Sequence, residues 1–394
     1  MDSKDVLREK ILASLRQQGF TLVDGVLADH CPTKEQTRDL HRVAVEHRRE
    51  RSRKGLQRRE SSLLRRVARG REVEPERVDP ELIEVHSDSA DEDLFRYASL
   101  HWSVPVSSGY GRRLRFLVLD RNNGKLMGII GLSDPVISMG PRDRWIGWTT
   151  EQRLSGLRAV MDAFVLGAVP PYSMIRAGKL IAGLVTSPEI RTRFQSKYFG
   201  VESRIQRRPN DRQLALVTTA SALGRSSIYN RLRMGSARLF SSVGFSQGYG
   251  EFQFSNGVYA ALTQYAAEHC AATYRHPQWG TGFRNRKEIV KKALPALGLS
   301  PSLLRHGVRR EIFVVPLGVN ACEYLRGAAQ ELVPWDWSTA DIAHALRDRW
   351  VVTRARADRT FTEWEPEQWR IWAESDGTTR GGRSNSHQRT PTDT

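Results

Sequence analysis

The segment that follows an apolar run at 214–219 combines hydroxyl, guanidinium and phenol groups within a few residues. A glycine opens it, and the groups suited to holding a phosphate are those of Arg225, Ser226, Ser227 and Arg231. Hydroxyls donate to phosphate oxygens and arginines pair with them, so Ser226 and Tyr229 are catalytic candidates, with Tyr229 as an acid or a stacking ring. The alternative is a serine N-cap that opens a helix and directs Ile228 and Leu232 inward. Both roles can hold together.

A second candidate site is the glycine- and serine-rich loop before the apolar run at 114–120. Tyr110 lies between two glycines, which would let the backbone approach a phosphate. Arg112 and Arg113 could then hold that phosphate while Tyr110 stacks on a base. The alternative is a flexible loop with solvated arginines. We expect the binding role, because loops on rigid scaffolds often carry function.

Carboxylates are few in the stretch 94–260, which has nine Asp and Glu against 23 Lys and Arg. The ones that could serve a metal are Asp120, Asp134, Asp143 and Asp162. A metal-dependent nuclease needs two or three carboxylates around Mg²⁺, and Asp134 with Asp143 are its catalytic candidates. No PD-(D/E)xK string is present, so no metal site is predicted. Ordinary roles compete, with Asp134 in a turn before proline and Asp143 paired with a neighbouring arginine.

The positive charge of the chain is concentrated in two stretches. The 394 residues have a formal charge of +17, yet residues 40–71 alone have twelve Lys and Arg against three Glu, and 94–260 has a net charge of +14. Such segregation favours DNA as a partner, since each cation on a phosphate releases a counterion. The candidates for DNA contact in the first stretch are Arg48, Arg49, Arg51, Arg58 and Arg59. The competing interpretation is that an arginine-rich genome places solvated arginines on helix surfaces.

Composition excludes several other classes of protein. No run approaches the length of about 18 apolar residues that spans a membrane, and the charged N-terminal stretch is not a signal peptide. The three cysteines lie far apart, so neither a disulfide framework nor a cysteine zinc site is expected. The sequence therefore predicts a protein of the reducing cytoplasm with no membrane partner. It assigns neither a cofactor nor an oligomeric state.

Apolar periodicity places these residues on a mixture of helices and strands. Helices are predicted at 3–18, 33–69, 150–167, 175–186, 188–199, 256–273, 285–297, 320–329 and 339–350. Strands are predicted at 114–120, 126–132, 214–219, 311–317 and twice within 243–255. Asn-Gly between the first two strands indicates a hairpin, and Thr33 with Gln36 forms a capping pattern for a helix that Gly55 breaks or bends. The predicted fold class is α+β, with a mainly antiparallel sheet flanked by helices.

Composition also divides the chain into regions. We expect a basic helical N-terminal module with an acidic, proline-containing connector at 1–93, and a central α/β domain at 94–330. A small tryptophan-rich helical region follows at 331–374, and the tail at 375–394 should be disordered. The run 274–287 interleaves aromatic and cationic side chains, which suits single strands or flipped bases as well as a loop pinned by buried aromatics.

Long strings of the chain resemble a known bacterial family. They occur in the order WSVPVSSGYGRRLRFLV at 102–118, GKLMGIIGLSDPV at 124–136, RDRWIGW at 142–148, VMDAFVLGAVPPY at 160–172, TTASALGRSSIYNRL at 218–232, VGFSQGYGEF at 243–252 and RHGVRREIFVVPLG at 305–318. Over residues 5–330 the chain is similar to the family that includes DruA of the Druantia antiphage system. The resemblance implies a prokaryotic defence protein with other antiphage-system proteins as partners. It implies no reaction, because that family was defined as a domain of unknown function.

A second resemblance is to GNAT acyltransferases and the Mom-type DNA-modifying proteins of phage. It rests on the order of a strand, a Gly-Lys turn, a strand, helices, a strand and then IYNRL followed by GF. It implies a GNAT-like sheet and a loop that holds the CoA pyrophosphate on backbone N–H groups. The nearest segment is RAGK at 176–179, which lacks the glycine spacing of that loop.

Three hypotheses follow from the residues and the resemblances. The preferred one is a DruA-like defence protein that binds DNA through its basic surface. The second is a GNAT-like acyltransferase or nucleic-acid-modifying enzyme. The third is a metal-dependent nuclease or transposase-like protein.

Overall fold

A computed structural model describes residues 3–28, 32–202, 209–273 and 282–372 of the protein. The tail at 375–394 and most of the aromatic and cationic run at 274–287 lie outside the described residues. Within those ranges, no helix has both the length and the apolar character needed to cross a bilayer.

The described strands form one large sheet and two small ribbons. Their bounds are β1 Leu22–Val23, β2 Val26–Leu27, β3 Pro80–Glu84, β4 Arg113–Asp120, β5 Lys125–Ser133, β6 Val160–Ala168, β7 Leu216–Ala220, β8 Arg233–Met234, β9 Ala237–Arg238, β10 Ser241–Phe245 and β11 Glu311–Pro316. The large sheet has the order β10-β11-β7-β6-β5-β4-β3. Its neighbouring strands are antiparallel except β6 and β7, which run parallel in this described part of the chain. The structure thus confirms a mixed α+β fold.

Helices cover both faces of this sheet. Their bounds are α1 Ser3–Gln17, α2 Lys34–Leu56, α3 Glu60–Leu64, α4 Ala90–Ser99, α5 Gly140–Ile146, α6 Thr150–Gly156, α7 Gly178–Gly183, α8 Pro188–Tyr198, α9 Val258–His269, α10 Arg286–Ala296, α11 Ala321–Arg326, α12 Thr339–Leu346 and α13 Thr353–Ala357. A π-helical segment, Arg347–Val352, joins the last two. Such segments are rare and occur frequently at functional sites.

Apolar cores lie against both faces of the sheet, and a core here called the third lies beside it. One face packs Met161 and Phe313 against α7 and α12. The opposite face packs Ile129 against α3 and α4. The third core joins α1 and α2, through Ile11 and Leu40, to α9 and α10. The N-terminal helices therefore share a core with helices from a much later part of the chain.

Residues 360–372, here called the C-terminal clasp, close over the second core. Their tryptophans Trp364, Trp369 and Trp372 are buried in it. Gly70 passes so close to the clasp that a Cβ atom at this position would lie 1.8 Å from the carbonyl oxygen of Phe361. A side chain at position 70 would therefore push the clasp away from the core.

Several predicted elements are confirmed together with their local causes. The hairpin of β4 and β5 forms around a turn in which Gly124 has a φ of +70°. Thr33 and Gln36 make a reciprocal capping box at the start of α2, and this helix ends at Leu56, one residue after Gly55. The helices α8, α9 and α10 and the strands β7 and β11 lie where the apolar pattern predicts them.

The helix predicted over 150–167 is wrong in its second half. Thr149 caps α6 as expected, but α6 ends at Gly156 and Val160–Ala168 forms β6. β6 lies at the centre of the sheet and is buried along most of its length. A strand that is covered on both faces has a continuous apolar sequence. It therefore lacks the alternation of apolar and polar residues that would distinguish it from a helix.

The segment predicted as a connector contains strand β3, which the apolar pattern of the sequence did not predict. β3 pairs with β4 at the edge of the sheet. It opens with Pro80 and has a glutamate on either side of its apolar pair, features that proteins tolerate at sheet edges.

Within 243–255 only β10 forms as a strand, and Phe252–Phe254 is a 3₁₀ turn. The domain boundary at residue 93 stays a prediction, and α4 runs across that position.

Candidate functional site

A cleft of about 570 Å³ lies at the end of β6. β6 and β7 pair from Val160 and Leu216 as far as Ala163 and Thr219, and β6 then continues to Ala168 without this neighbour. The walls of the cleft come from the end of β6, the start of α7, the segment that follows β7 and the side chains of Trp102 and Trp350. Ligands of α/β sheets bind at the carboxyl ends of strands where neighbours diverge, so this cleft is the candidate functional site.

The Lys179 side chain holds one wall of the cleft in place. Its Nζ donates, at 2.7 to 2.9 Å, to the backbone carbonyl oxygens of Ser227, Ile228 and Asn230. The same ammonium lies 4.4 Å from the centre of the Trp350 ring. Burial, followed by the charges of Arg176 and Arg231, lowers the pKa of Lys179 to about 8. The lysine therefore fixes the shape of the site and adds positive charge to it.

Two arginines on the cleft have unusual backbone conformations. Arg176 has a φ of +61° and Arg231 a φ of +65°. Both side chains are exposed, and neither has an ion pair within the described ranges. No Asp or Glu lines the cleft in the part of the chain that the structure describes. The site therefore has strong positive charge without a compensating carboxylate.

Within the predicted phosphate-binding segment, Ser226 shapes a turn. It is buried, and its Oγ accepts the backbone N–H groups of Ile228 and Tyr229, each at 3.1 Å. Its own N–H donates to Glu311 at 3.1 Å. This is the capping role weighed against phosphate binding, although the residues that follow form turns and not a helix. From this segment Ser227 and Arg231 line the cleft, whereas Arg225 is exposed outside its lining.

Tyr229 lies in the core beneath this turn. Its ring stacks on Phe240 with centroids 5.0 Å apart, and it meets the ring of Phe313 edge-on. Burial raises the pKa of the Tyr229 phenol to about 12. With only 8% of the residue exposed, a packing role accounts for its position better than the predicted acid or stacking role.

Other residues of the chain hold the guanidinium group of Arg112 by hydrogen bonds. Its Nε donates to Asp134 at 2.5 Å. Its other nitrogens donate to the carbonyl oxygens of Leu157, Arg158 and Val160. These contacts favour a structural ion pair over the predicted phosphate role of Arg112 and the predicted metal role of Asp134. Tyr110 and Arg113 are exposed at the same loop, so the binding prediction continues to rest on these two residues.

The four carboxylates weighed as metal ligands have different partners. Asp143 accepts two hydrogen bonds from Arg142, at 2.9 and 2.7 Å. Asp120 accepts from Tyr172 at 2.8 Å, and Asp162 accepts from Thr218 at 2.6 Å. Burial raises the pKa of Asp162 to about 6. The described residues contain no group of three or more His, Cys, Asp or Glu side chains that could hold a metal ion.

Three of the arginines predicted for DNA contact have partners or are partly buried. Arg49 donates to the carbonyl oxygen of Leu100 at 3.1 Å, and Arg59 forms an ion pair with Asp93. Burial lowers the pKa of Arg48, which lies on the inner side of α2. These contacts connect α2 to α4 and favour packing roles.

Other cations of the same region are exposed and unpaired. Their side chains have neither a hydrogen bond nor an ion pair to any residue that the structure describes. They are Arg51, Lys54, Arg58 and Arg65, here called the α2–α3 basic surface. Two of the predicted DNA-contacting residues, Arg51 and Arg58, thus lie on it.

Several residues that build the cleft, unlike Ser227 and Arg231, were not predicted as site residues from the sequence. Lys179 follows a glycine within an otherwise apolar stretch, and a lone cation there is the signal that could have revealed it. Trp102 and Trp350 come from distant parts of the chain, so no local pattern connects them to Lys179. Arg176 and Lys179 were weighed only as part of the segment RAGK, which lacks the glycine spacing of a CoA-binding loop.

Comparisons with known proteins agree on one family. The family model described as "Druantia protein DruA" matches residues 31–327 of this chain. The Druantia protein DruA of Escherichia coli (strain UMEA 4076-1) is 37% identical over 361 residues, which cover 91% of this chain and 89% of that protein. No solved structure matches the chain significantly.

The chain is a mixed α+β protein with a basic cleft at its parallel strand pair. The matches extend over most of the sequence. This chain belongs to the DruA family.

Proposed function

We propose that this chain is an antiphage defence protein that binds DNA through the α2–α3 basic surface and acts with other antiphage-system proteins. The observation that carries the proposal is the set of unpaired cations on that surface. Membership of the DruA family supports the defence setting. The formal charge of +17 supports a polyanionic partner.

The spacing of these cations brings them to one side of the helix. Arg51, Lys54 and Arg58 follow one another at intervals of three and four residues, at the end of α2 and in the turn after it. The carbonyl oxygen of Arg65 accepts a hydrogen bond from Lys125 at 2.7 Å, which places a further cation nearby. An unpaired cation binds a phosphate without first breaking an ion pair, so these residues suit a DNA backbone.

The test removes the charges of the α2–α3 basic surface in the variant R51Q/K54Q/R58Q/R65Q. We expect weaker binding to duplex DNA, measured by electrophoretic mobility or fluorescence anisotropy across a salt series. The slope of log K against log salt should fall in magnitude by about 3.6, or about 0.9 for each phosphate that the variant no longer neutralises.

The matched control is R38Q/R77Q/R121Q/R356Q, which changes the net charge by the same amount. Each of these arginines is exposed and already paired with a carboxylate. We expect this control to bind DNA almost as well as the unaltered chain. Equal losses of affinity in both variants, or no retention of the unaltered chain on DNA at about 50 mM salt, would contradict the proposal.

A second candidate is a nucleic-acid-modifying enzyme on a GNAT-like sheet. It is favoured by one observation: the parallel pair β6 and β7 diverges beside a cleft in an otherwise antiparallel sheet. If acetyl-CoA binds there, the free energy of unfolding should rise by about 2.7 kcal/mol at about one hundred times the dissociation constant. Thermal denaturation with and without acetyl-CoA measures this, and an unchanged midpoint counts against the enzyme.

A further inference from the structure

We propose that the cleft at the end of β6 binds a phosphorylated nucleotide, with its phosphates on Arg176 and Arg231 and its base against tryptophan. This inference does not depend on DNA binding by the α2–α3 basic surface. The cleft is formed by different elements, and its lining includes Trp102 and Trp350.

The cleft has a positive charge that suits a phosphorylated ligand. Arg176, Lys179 and Arg231 line the cleft, and no carboxylate lines it among the described residues. Arg349 adds a fourth positive charge, since it is one of the groups that act on Lys179. Cations brought together without a counter-charge repel one another, and a ligand with two or more negative charges removes that repulsion. Phosphate esters and diphosphates have this charge, and arginine binds them in a bidentate manner.

The backbone at the two cleft arginines has an unusual conformation. Four non-glycine residues of the described ranges have a left-handed φ: Asp24, Asp88, Arg176 and Arg231. Aspartate tolerates this conformation, because its short side chain bonds locally, whereas arginine has no such advantage. The two arginines both lie on the same cleft. Strained residues persist where their side chains are needed in one place, which is the situation expected for ligand contacts.

The cations of the cleft differ in whether their donors already have partners. The three protons of the Lys179 ammonium already point to three carbonyl oxygens of the segment that includes Arg231. Lys179 is therefore a positioning residue that holds this segment against α7. Arg176 and Arg231 are exposed and have no such contacts in the part of the chain that the structure describes, so they are the direct phosphate ligands.

The size of the cleft and its aromatic side chains also suit a nucleotide. A cleft of about 570 Å³ lies within the range of about 300 to 1,000 Å³ that is usual for small-ligand sites. Trp102 packs against the strand at Gly167, where a Cβ atom would lie 2.7 Å from its ring. Trp350 belongs to the π-helical segment and contacts both Lys179 and Arg349. Indole rings beside cations are the surfaces on which nucleobases stack.

The experiment measures ligand binding to the full chain by calorimetry, at pH 7.5 and low salt. The probes are ATP, CoA, inorganic pyrophosphate and a short single-stranded oligodeoxynucleotide with a 5′ phosphate. The oligonucleotide is tested in the R51Q/K54Q/R58Q/R65Q background, so that the α2–α3 basic surface does not contribute. We expect a nucleotide probe to bind more tightly than pyrophosphate, because only nucleotides have a base to stack.

The probes distinguish a free nucleotide from a nucleotide within a strand. Binding of ATP or CoA identifies a free nucleotide or nucleotide cofactor, whereas binding of the oligonucleotide alone identifies a nucleotide within a strand. Binding of no probe overturns the proposal. Pyrophosphate that binds as well as ATP also overturns it, since the site would then recognise the anion only.

Variants test whether Arg176 and Arg231 bind the nucleotide. R176Q/R231Q should lower the affinity by about a hundredfold, or about tenfold for each charged contact. The matched control R233Q/R238Q removes the same charge from exposed arginines outside the lining and should bind normally. R233Q/R238Q should unfold at the same denaturant concentration as the unaltered chain, and R176Q/R231Q at the same or a higher one, because it removes charges that repel Lys179. Unchanged affinity in R176Q/R231Q would contradict the proposal.

A pH profile tests the positioning role of Lys179. Its pKa is lowered to about 8 by burial and then by Arg176, Arg231 and Arg349, the charged groups that face it. Phosphates remain ionised above pH 7.5, so nucleotide affinity should fall between pH 7.5 and 9.5 as the Lys179 ammonium loses its proton. In K179M the affinity should be lower and the fall near pH 8 should be absent. An equal fall in K179M would exclude an electrostatic contribution from Lys179.

Discussion

Replacement of Asp143 by alanine is expected to lower the free energy of unfolding by about 3–5 kcal/mol. Arg142 has no exposed surface, and its Nε and Nη2 both donate to Oδ1 of Asp143. Without the carboxylate, a buried guanidinium group loses its hydrogen-bonded counter-charge. The other carboxylate oxygen accepts the backbone N–H of Met139 at 3.0 Å, so the variant also removes a hydrogen bond at the start of α5.

Chemical denaturation followed by circular dichroism measures this effect. The control is Glu331→Ala, which removes an exposed carboxylate and should change the free energy of unfolding by less than about 0.5 kcal/mol. The result also separates two roles of Asp143. A D143A protein that unfolds like the control but loses a Mg²⁺-dependent cleavage of DNA would restore the nuclease hypothesis.

Replacement of Glu60 by alanine should be comparably destabilising, by about 3–5 kcal/mol. Glu60 is 1% exposed and connects α3 to the C-terminal clasp. Its carboxylate accepts the Tyr97 hydroxyl at 2.8 Å and the backbone N–H groups of Ile371 and Trp372 at 2.6 and 3.3 Å. Alanine leaves the two backbone N–H groups without an acceptor in an apolar environment, whereas the Tyr97 hydroxyl keeps the carbonyl oxygen of Trp369, which lies 2.8 Å away.

Two further variants show whether the destabilisation comes from the clasp. Glu367→Ala removes an exposed carboxylate of the same clasp and should change the free energy of unfolding by less than about 0.5 kcal/mol. Tyr97→Phe removes one donor only and should cost about 1.5–3 kcal/mol, as expected for a hydrogen bond to a charged group. Limited proteolysis should cut E60A earlier than Y97F within 360–372. Resistance of E60A equal to that of the unaltered chain would mean that Glu60 does not hold the clasp.

The parts of the fold that could be predicted are those with local causes. The capping box at Thr33 and the Asn-Gly turn before Lys125 are each determined by residues within four positions of one another. The apolar runs of β7 and β11 are bounded by polar residues and are short, which favours strands. The α+β class followed from these elements together.

The remaining parts depend on distant residues. β6 looks like a helix in the sequence because the sheet covers it on both faces, and only its neighbours β5 and β7 make it a strand. The ion pairs of Arg112 and Asp143 could not be told from solvated or catalytic groups, since burial decides between these roles. The cleft combines Trp102, Lys179 and Trp350, which the fold alone brings together.

The third core has a consequence for how the chain reaches its folded state. Helix α1 ends about 240 residues before α9 begins, yet the two pack in one core that α10 completes. At about 5–20 residues per second, the ribosome needs on the order of 10–50 s to make the sequence between them. During that time the apolar residues of α1, among them Ile11 and Leu15, lack the helices α9 and α10 that complete their core. Contacts of such sequence separation also slow refolding, and the sheet should form before the N-terminal helices dock.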